Sequence, residues 1–317
     1  MFKKLIYAAL FAASGTASAQ LGPYQNAATG TIGSGTGCGG AGLVRTIFVG
    51  DNIIIADLDV GLLASHTWRS DINMRLTSPL GTVSNILDGP YGPSYDNYNI
   101  RMDDGAGNLV DTAPHNSNDS ITAVPPYQNT VRPENPLSVF NGQNANGTWT
   151  LRFCDVYTGA DNGTFRQSNL FITPEPAVLN ASKTVEIWDP LAAGLYSVPG
   201  NDVIYTISIT NTGNGFADPG TVFLVDTLPD DMEFYNGDID DGGPEANPVS
   251  FSDSGSGLTF TYASHVRYSN AATKPASFAA CGYTPAAGYD AAVKHVCIQP
   301  AGQMLFDPGT PSFSVKF

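Results

Sequence analysis

Residues 65–82 read SHTWRSDINMRLTSPLGT, and the way their apolar side chains fall decides the fold class. From Ile72 onward the pattern alternates, with Ile72, Met74 and Leu76 on one side and Asn73, Arg75 and Thr77 on the other. A period of two marks a half-buried β-strand. Ser78-Pro79-Leu80-Gly81 ends it, because Pro79 has no N–H to donate and Gly81 accepts the positive φ of a tight turn. His66, Trp68 and Asp71 crowd a short bend before the strand begins.

Strand patterns recur on both sides of this stretch. Ile54, Ala56, Leu58 and Val60 alternate with Ile55, Asp57 and Asp59 upstream, and Thr148 to Asp155 places Trp149, Leu151 and Phe153 on one face. Gly163 to Ile172 reads as the strand that closes a first domain. Residues 88–135 hold DGPYGPSYDNYN, DDGAGN and APHNSNDS, turn chemistry that reads as a long surface loop where a site would sit. TPEPAVLNAS, residues 173–182, reads as a linker. Beyond it, Val203, Tyr205, Ile207 and Ile209 share one strand face that Asn211-Thr212-Gly213 terminates. Leu258–Tyr262 and Phe313–Phe317 read as later strands, and the chain stops inside the last alternation, as a shortened C-terminus would.

The N-terminus is a secretory leader by pattern. Lys3 and Lys4 precede the apolar run Leu5 to Ala13, and Ala17-Ser18-Ala19 is a small-residue cleavage motif. Residues 1–19 are therefore set apart, and the exported chain is expected to begin at Gln20. No later window is long and apolar enough to span a bilayer. The formal net charge is −15, and the leader carries two of the basic residues, so the remainder is more acidic still. Such a surface repels nucleic acid and anionic lipid and favours divalent cations. The length of 317 residues suits two domains. Residues 27–42, AATGTIGSGTGCGGAG, form a Gly-rich run with a formal G-x-G-x-x-G at Gly35, Gly37 and Gly40. It lacks the preceding strand and following helix of a dinucleotide site and reads as a flexible lead-in.

Four cysteines in an exported chain can pair in three ways. One bridge per domain is the simplest, Cys38–Cys154 and Cys281–Cys297, with Cys154 facing away from Trp149, Leu151 and Phe153 and able to staple the N-terminal segment across the sandwich. No Cys-x-x-Cys or Cys-x-x-His pair supports zinc instead.

The opening stretch resembles the P/Homo B domain that follows the catalytic domain in subtilisin-like proprotein convertases. The matching residues are Leu58, Val60, His66, Trp68, Arg69, Ser70, Asp71, the Ile72/Met74/Leu76 alternation, Ser78, Pro79, Gly81 and Thr82. A second block matches at Gly147, Trp149, Leu151 and Asp155, and Arg101-Met102-Asp103-Asp104-Gly105 is similar to a paired-Asp segment between them. The second half resembles a bacterial surface-repeat domain of unknown function, immunoglobulin-like, at Pro199, Gly200, Val203, Tyr205, Ile207, Ile209, Asn211 and Gly213, then Asp226, Leu228 and Pro229. Together these imply an all-β protein: residues 1–19 a signal peptide, 20–43 a Gly-rich lead, 44–172 a P-domain-like jelly-roll sandwich, 173–182 a linker and 183–317 an immunoglobulin-like sandwich.

The convertase catalytic triad lies in a separate domain, and only the leader and the Gly-rich run precede residue 44 here. His66 falls on a P-domain motif position, while His115, His265 and His295 lack any nucleophile-elbow or subtilisin-type context. The chain is therefore expected to be non-enzymatic. Calcium is the expected ion, at Asp71, Asp103, Asp104 and Asp155, since clustered carboxylates beside turns supply hard oxygen ligands. The same residues also suit bend caps and Asx turns. Asp238, Asp240 and Asp241 form a weaker cluster without EF-hand spacing. Trp149 reads as core, Trp68 as a carbohydrate platform only if exposed, and the sequons at Asn118, Asn146, Asn162 and Asn180 matter only in a eukaryotic route. The expected role is a secreted or cell-surface module that binds or stabilises an extracellular protein partner. The alternatives are an accessory component of a subtilisin-like serine endopeptidase system and a carbohydrate-binding adhesin.

Overall fold

The computed structural model describes residues 20–317 apart from 34, 90–94, 111–123, 190–193, 195–199, 240–246 and 307–309. The expected leader, His115, Asn118, Pro199, Asp240 and Asp241 lie outside the described residues. Two compact units meet in sequence between Glu175 and Pro176. Both are built from β-strands.

The first unit contains β1 (Leu21–Asn26), β2 (Gly30–Ile32), β3 (Leu43–Val49), β4 (Ile55–His66) and β5 (Ile72–Thr77). It continues with β6 (Val83–Asp88), β7 (Tyr98–Met102), β8 (Asn129–Val131), β9 (Gly147–Asp155) and β10 (Gly163–Pro174). One sheet runs β1-β10-β4-β7-β8, with β2 also on β10, and the other runs β3-β9-β5-β6. Their inner faces share a core. Leu58, Val60 and Leu62 of β4 belong to one buried cluster with Met74 and Leu76 of β5 and Trp149, Leu151 and Phe153 of β9. Trp149 packs edge-on against Phe140 at 5.2 Å and donates its indole N–H to Ala145 O at 2.9 Å. Its only polar group is thus satisfied inside the core. The alternation of β5 holds: Ile72, Met74 and Leu76 are buried and Arg75 is exposed. Gly81, at φ 84°, closes the turn that follows, with its N–H donated to Ser78 O at 2.9 Å.

Other expectations are corrected. At the start of β4 and just before it, Ile55 and Ile53 are buried and Ile54 and Ala56 are not, and the burial then continues at Leu58 and Val60. Ile55 opposes Pro174 and Asp57 opposes Thr173, so Ala56 is the extra residue of a bulge that shifts the side-chain phase. The Gly-rich lead is not loose, because β1 and β2 both pair with β10 and bury Ile32 completely. The free edge of β10 needs hydrogen-bond partners, and this segment supplies them. Cys38 and Cys154 are bridged, with Cα atoms 4.8 Å apart. The bridge does not cross the sandwich, since Gly37 pairs directly beside Asp155 on β9. Within residues 88–135, Tyr98–Met102 forms a strand whose buried Asn99 accepts the Gln128 N–H at 2.9 Å. A strand covered on both faces shows no alternation to read. The linker shortens to 175–178.

The second unit contains β11 (Leu179–Ile187), β12 (Val203–Asn211), β13 (Leu224–Thr227), β14 (Phe234–Asn236) and β15 (Ser250–Ser254). A helical turn, α1 (Tyr262–His265), precedes β16 (Val266–Ser269), β17 (Gly288–Asp290), β18 (His295–Ile298) and β19 (Ser312–Lys316). The sheets run β11-β12-β19-β15 and β13-β18-β16, with a β14–β17 ribbon. Ile207, Ile209, Phe313 and Val315 of the first share a core with Leu224, Val296 and Ile298 of the second. The strand expected at Leu258–Tyr262 is replaced by a bridge from Thr259 to Ala301 and then α1. His265 Nδ1 accepts the Thr261 N–H at 2.7 Å and so favours the helical turn. Cys281 and Cys297 form the second bridge.

One buried ion pair links the two sheets of this unit. Lys183 of β11 donates to both carboxylate oxygens of Asp226 on β13, at 2.8 and 2.7 Å, and its ammonium lies 3.8 Å from the Tyr205 ring centroid. Burial pushes the Asp226 carboxyl up from its usual range, and Lys183 opposes that rise.

Trp149→Ala is expected to cost about 3–5 kcal/mol in urea unfolding. Phe48→Ala, at an exposed position of β3, should stay within about 0.5 kcal/mol of the parent. Lys183→Met strands the Asp226 carboxylate and should cost about 3–5 kcal/mol, most of it recovered when Asp226→Leu is added.

Candidate functional site

The signature residues gather at one end of the first unit, where the β4–β5 and β9–β10 connections and the segment around Cys38 meet. β4 ends at His66, a 3-10 turn spans Arg69–Asp71, and β9 ends at Asp155 directly opposite Ile72. His66 and Asp155 therefore face each other across the sheets. His66 Nε2 stands 3.8 Å from Asp155 Oδ2, and both side chains are fully buried. His66 Nδ1 lies 2.7 Å from Trp68 O and 3.3 Å from Trp68 N, so this nitrogen is held by the backbone of one residue. Asp155 Oδ1 accepts the Tyr157 N–H at 2.8 Å, whereas neither Oδ2 nor His66 Nε2 has a hydrogen-bond partner. Gly163 makes the approach possible. A Cβ there would lie 2.0 Å from Ser65 O and 2.7 Å from the His66 ring.

Arg69 and Asp71 complete this end. The Arg69 guanidinium lies over the rings of Tyr95 at 5.0 Å and Tyr98 at 5.6 Å, and Arg69 O accepts the Tyr98 hydroxyl at 2.9 Å. Asp71 O accepts the Val156 N–H at 2.8 Å. Burial raises the Asp71 carboxyl, and repulsion from Asp161 and Asp155 raises it further, with His66 opposing. Asp161, which sequence reasoning passed over, accepts the Thr67 hydroxyl at 2.9 Å and also shares a side-chain hydrogen bond with Asp71. It carried no motif signal, because the loop that positions it has no periodicity. Trp68 and Tyr157 are exposed.

The four carboxylates expected to share a calcium ion do not converge. Asp71 and Asp155 lie at the loop end just described. Asp103 and Asp104 follow β7, and their neighbours are Asp57 and Asp59 of β4. Both oxygens of Asp104 accept backbone N–H groups, from Leu137 and Ser138 at 2.8 Å each, and Asp103 Oδ1 accepts the Gly105 N–H at 2.7 Å. Asp103 thus takes the Asx-turn role the sequence allowed, whereas Asp104 caps the sequence-distant turn at Leu137 and Ser138 in place of an Asx turn. Asp59 is buried and held by Arg101 and by Gln20, whose Nε2 donates at 3.1 Å. Among the described residues, no three His, Cys, Asp or Glu side chains are arranged to hold a metal ion.

The geometry does not suit the His–Asp pair to catalysis. A general base has to reach the proton it removes, and neither His66 nor Asp155 exposes any side-chain surface. His295 has both ring nitrogens engaged, with Thr227 Oγ1 at 2.9 Å and Ala271 O at 3.0 Å. No described helix is long and apolar enough to cross a membrane.

A family model, the proprotein convertase P-domain, matches residues 55–172. It covers β4 to β10 apart from the two last residues of β10, and so includes His66, Arg69, Asp71, Asp155 and Asp161 but not the segment around Cys38. No curated protein matches the sequence. Among solved structures, the Aeromonas sobria serine protease in complex with its chaperone aligns at 17% identity over 49% of this chain, with a TM-score of 0.28. The serine protease of Aeromonas sobria on its own aligns at 17% identity over 49% of this chain, with a TM-score of 0.26. This chain spans 26% of the length of each. Similarity of that degree fixes neither fold nor activity here.

The raised Asp71 carboxyl sets a pH dependence. An acid whose pKa is higher folded than unfolded binds its proton more tightly in the folded state. Its contribution therefore favours folding at low pH and is lost as pH rises through the folded value. Asp71→Asn is neutral throughout, so it should melt above the parent near neutral pH. The difference should vanish as pH falls below the unfolded value of about 3.9.

Proposed function

We propose that the first unit is a non-catalytic module that docks on and stabilises an exported partner protein, and that the partner is a subtilisin-like serine protease. The observation that carries this reading is the P-domain family match over residues 55–172, since P-domains are the non-catalytic companions of such proteases. The sealed His66–Asp155 pair agrees with it, because those residues shape the loop end and meet no substrate. The two disulfides are compatible with an extracellular setting, and the reading takes the chain to be exported, with the second unit an immunoglobulin-like surface module.

The outer face of the β3-β9-β5-β6 sheet is the docking surface in this reading. Thr46, Thr150, Thr77 and Val83 lie side by side across its four strands, and Val44, Phe48 and Val83 are exposed there. Leu80 is exposed in the adjoining turn, and Gln143 ties that turn to the exposed Val139 by donating to Thr82 Oγ1 and Val139 O. Arg75 and Asn85 also open onto this face, and Asp88 stands at its end, accepting from Asn73 Nδ2 at 3.2 Å. Apolar side chains grouped on a sheet face mark a contact surface more often than scattered ones do.

Calcium belongs to the proposal only at Asp71 and Asp161, whose carboxyls meet and need either a proton or a cation between them.

The test is capture from culture medium and envelope with the full chain immobilised, read with an active-site probe for serine hydrolases. Capture of a subtilisin-like protease, reduced about tenfold by Phe48→Arg, is the expected result. Hydrolysis of a peptide library by the pure chain would overturn the non-catalytic reading. For the ion, thermal melting in calcium and in EDTA should differ for the parent and coincide for Asp161→Asn. Coincident melts for the parent leave a shared proton in place of the ion.

A further inference from the structure

The second unit contains a cleft of about 430 Å³. That volume lies within the range of small-molecule sites. Its floor is apolar, with Val203, Leu228, Phe234 and Phe317 among its lining. Three aromatic rings stand in series along one side. Trp188 and Tyr235 have centroids 5.8 Å apart, and Tyr235 and Tyr289 5.1 Å apart. The backbone orients them. Tyr235 and Tyr289 are directly opposite each other in the β14–β17 ribbon, and the Trp188 indole N–H donates to Ile239 O at 3.2 Å.

The charges at this cleft all have one sign. Asp202, Asp231 and Glu233 line it, and no Lys, Arg or His does so among the described residues. Asp202 Oδ2 accepts the Tyr289 hydroxyl at 2.9 Å, and Asp202 O accepts the Trp188 N–H at 3.0 Å, so one residue braces both ends of the ring series. Burial and the charges of Asp226 and Asp231 raise the Tyr205 phenol, which also lines the cleft, so that ring stays neutral. The unit already pairs an ammonium with this kind of ring, in Lys183 over Tyr205.

Electron-rich ring faces attract cations, and carboxylates around an apolar floor raise the local concentration of positive ligands. A neutral apolar ligand would need the floor but not the three acids. An inorganic cation would need the acids but not the rings. We infer that the cleft lined by Trp188, Tyr235, Tyr289, Asp202 and Glu233 binds an organic ammonium ion, with its alkyl part on the floor and its charged head against the rings. The ammonium can belong to a free quaternary amine or to a lysine side chain of a partner, and the chemistry of recognition is the same for both.

The test is calorimetric titration of the full chain with choline, with its neutral isostere 3,3-dimethylbutan-1-ol, with a short lysine peptide and with a neutral oligosaccharide. One of the two ammonium ligands should bind at least about tenfold tighter than the isostere. The tighter of the two identifies the source. Glu233→Gln, at an exposed position, should weaken the ammonium ligand about threefold and reduce its salt dependence. Trp188→Leu should weaken it about tenfold, and Tyr289→Leu, on the other strand, repeats the test should Trp188→Leu not fold. Binding of both choline and the lysine peptide no tighter than the isostere would overturn the inference. So would binding of the oligosaccharide alone, or no heat from either ammonium ligand at about 20 mM.

Discussion

β4 and β10 are each 12 residues long and stay hydrogen-bonded from the Gly163–His66 pair to the Pro174–Ile55 pair. Five strands separate them in sequence, so this ladder ties the middle of the first unit's chain to its end. β1 and β2 complete one edge of β10, and β7 completes the other edge of β4. The same ladder delivers His66 to the place where β9 delivers Asp155. It tolerates no side chain at residue 163, where a Cβ would meet Ser65 O. A structural glycine and a buried His–Asp pair are thus consequences of one strand pairing.

Buried charge is costly unless it is paired or hydrogen-bonded, and an acidic chain meets that constraint repeatedly. The buried carboxylates find different solutions. Asp59 takes Arg101 and Gln20, Asp226 takes Lys183, Asp290 takes the Tyr283 hydroxyl and two backbone N–H groups, and Asp155 faces His66, while the half-buried Asp104 takes two backbone N–H groups. Acids that look like one metal site along the chain are therefore spent on separate structural tasks. Asp71 and Asp161 are the exception, since each raises the question of what lies between two carboxyls. In the second unit, Asp202, Asp231 and Glu233 stand instead around aromatic rings. There the acids line a cleft, and Asp202 also braces the rings beside it.

Periodicity alone made β5, β9, β12 and β19 legible, because each buries one face more deeply than the other, and the hydrophobic effect writes that difference into alternate positions. The all-β class and the core role of Trp149 followed from such local patterns, while one bridge per unit was the simplest of three pairings the cysteines allowed. β7 was hidden because it is covered on both faces. β1 and β2 were hidden because their small, polar residues take their strand form from the edge of β10. The face of Ile55 was misread because a bulge depends on the partner strand, and a single strand cannot show where its partner slips.

The sites followed the same division. His66, Arg69, Asp71 and Asp155 could be singled out from the chain itself, since each sits at a fixed offset from a readable strand end. Which of them touch was decided by folding alone. Asp155 meets His66 while Asp103 and Asp104 stay with β4, because contact between residues distant in sequence is set by sheet order and register. The ring series of Trp188, Tyr235 and Tyr289 left no trace in the sequence for that reason. Its members sit in separate segments, and only the pairing of β14 with β17 and the backbone bond from Trp188 to Asp202 bring them into one wall.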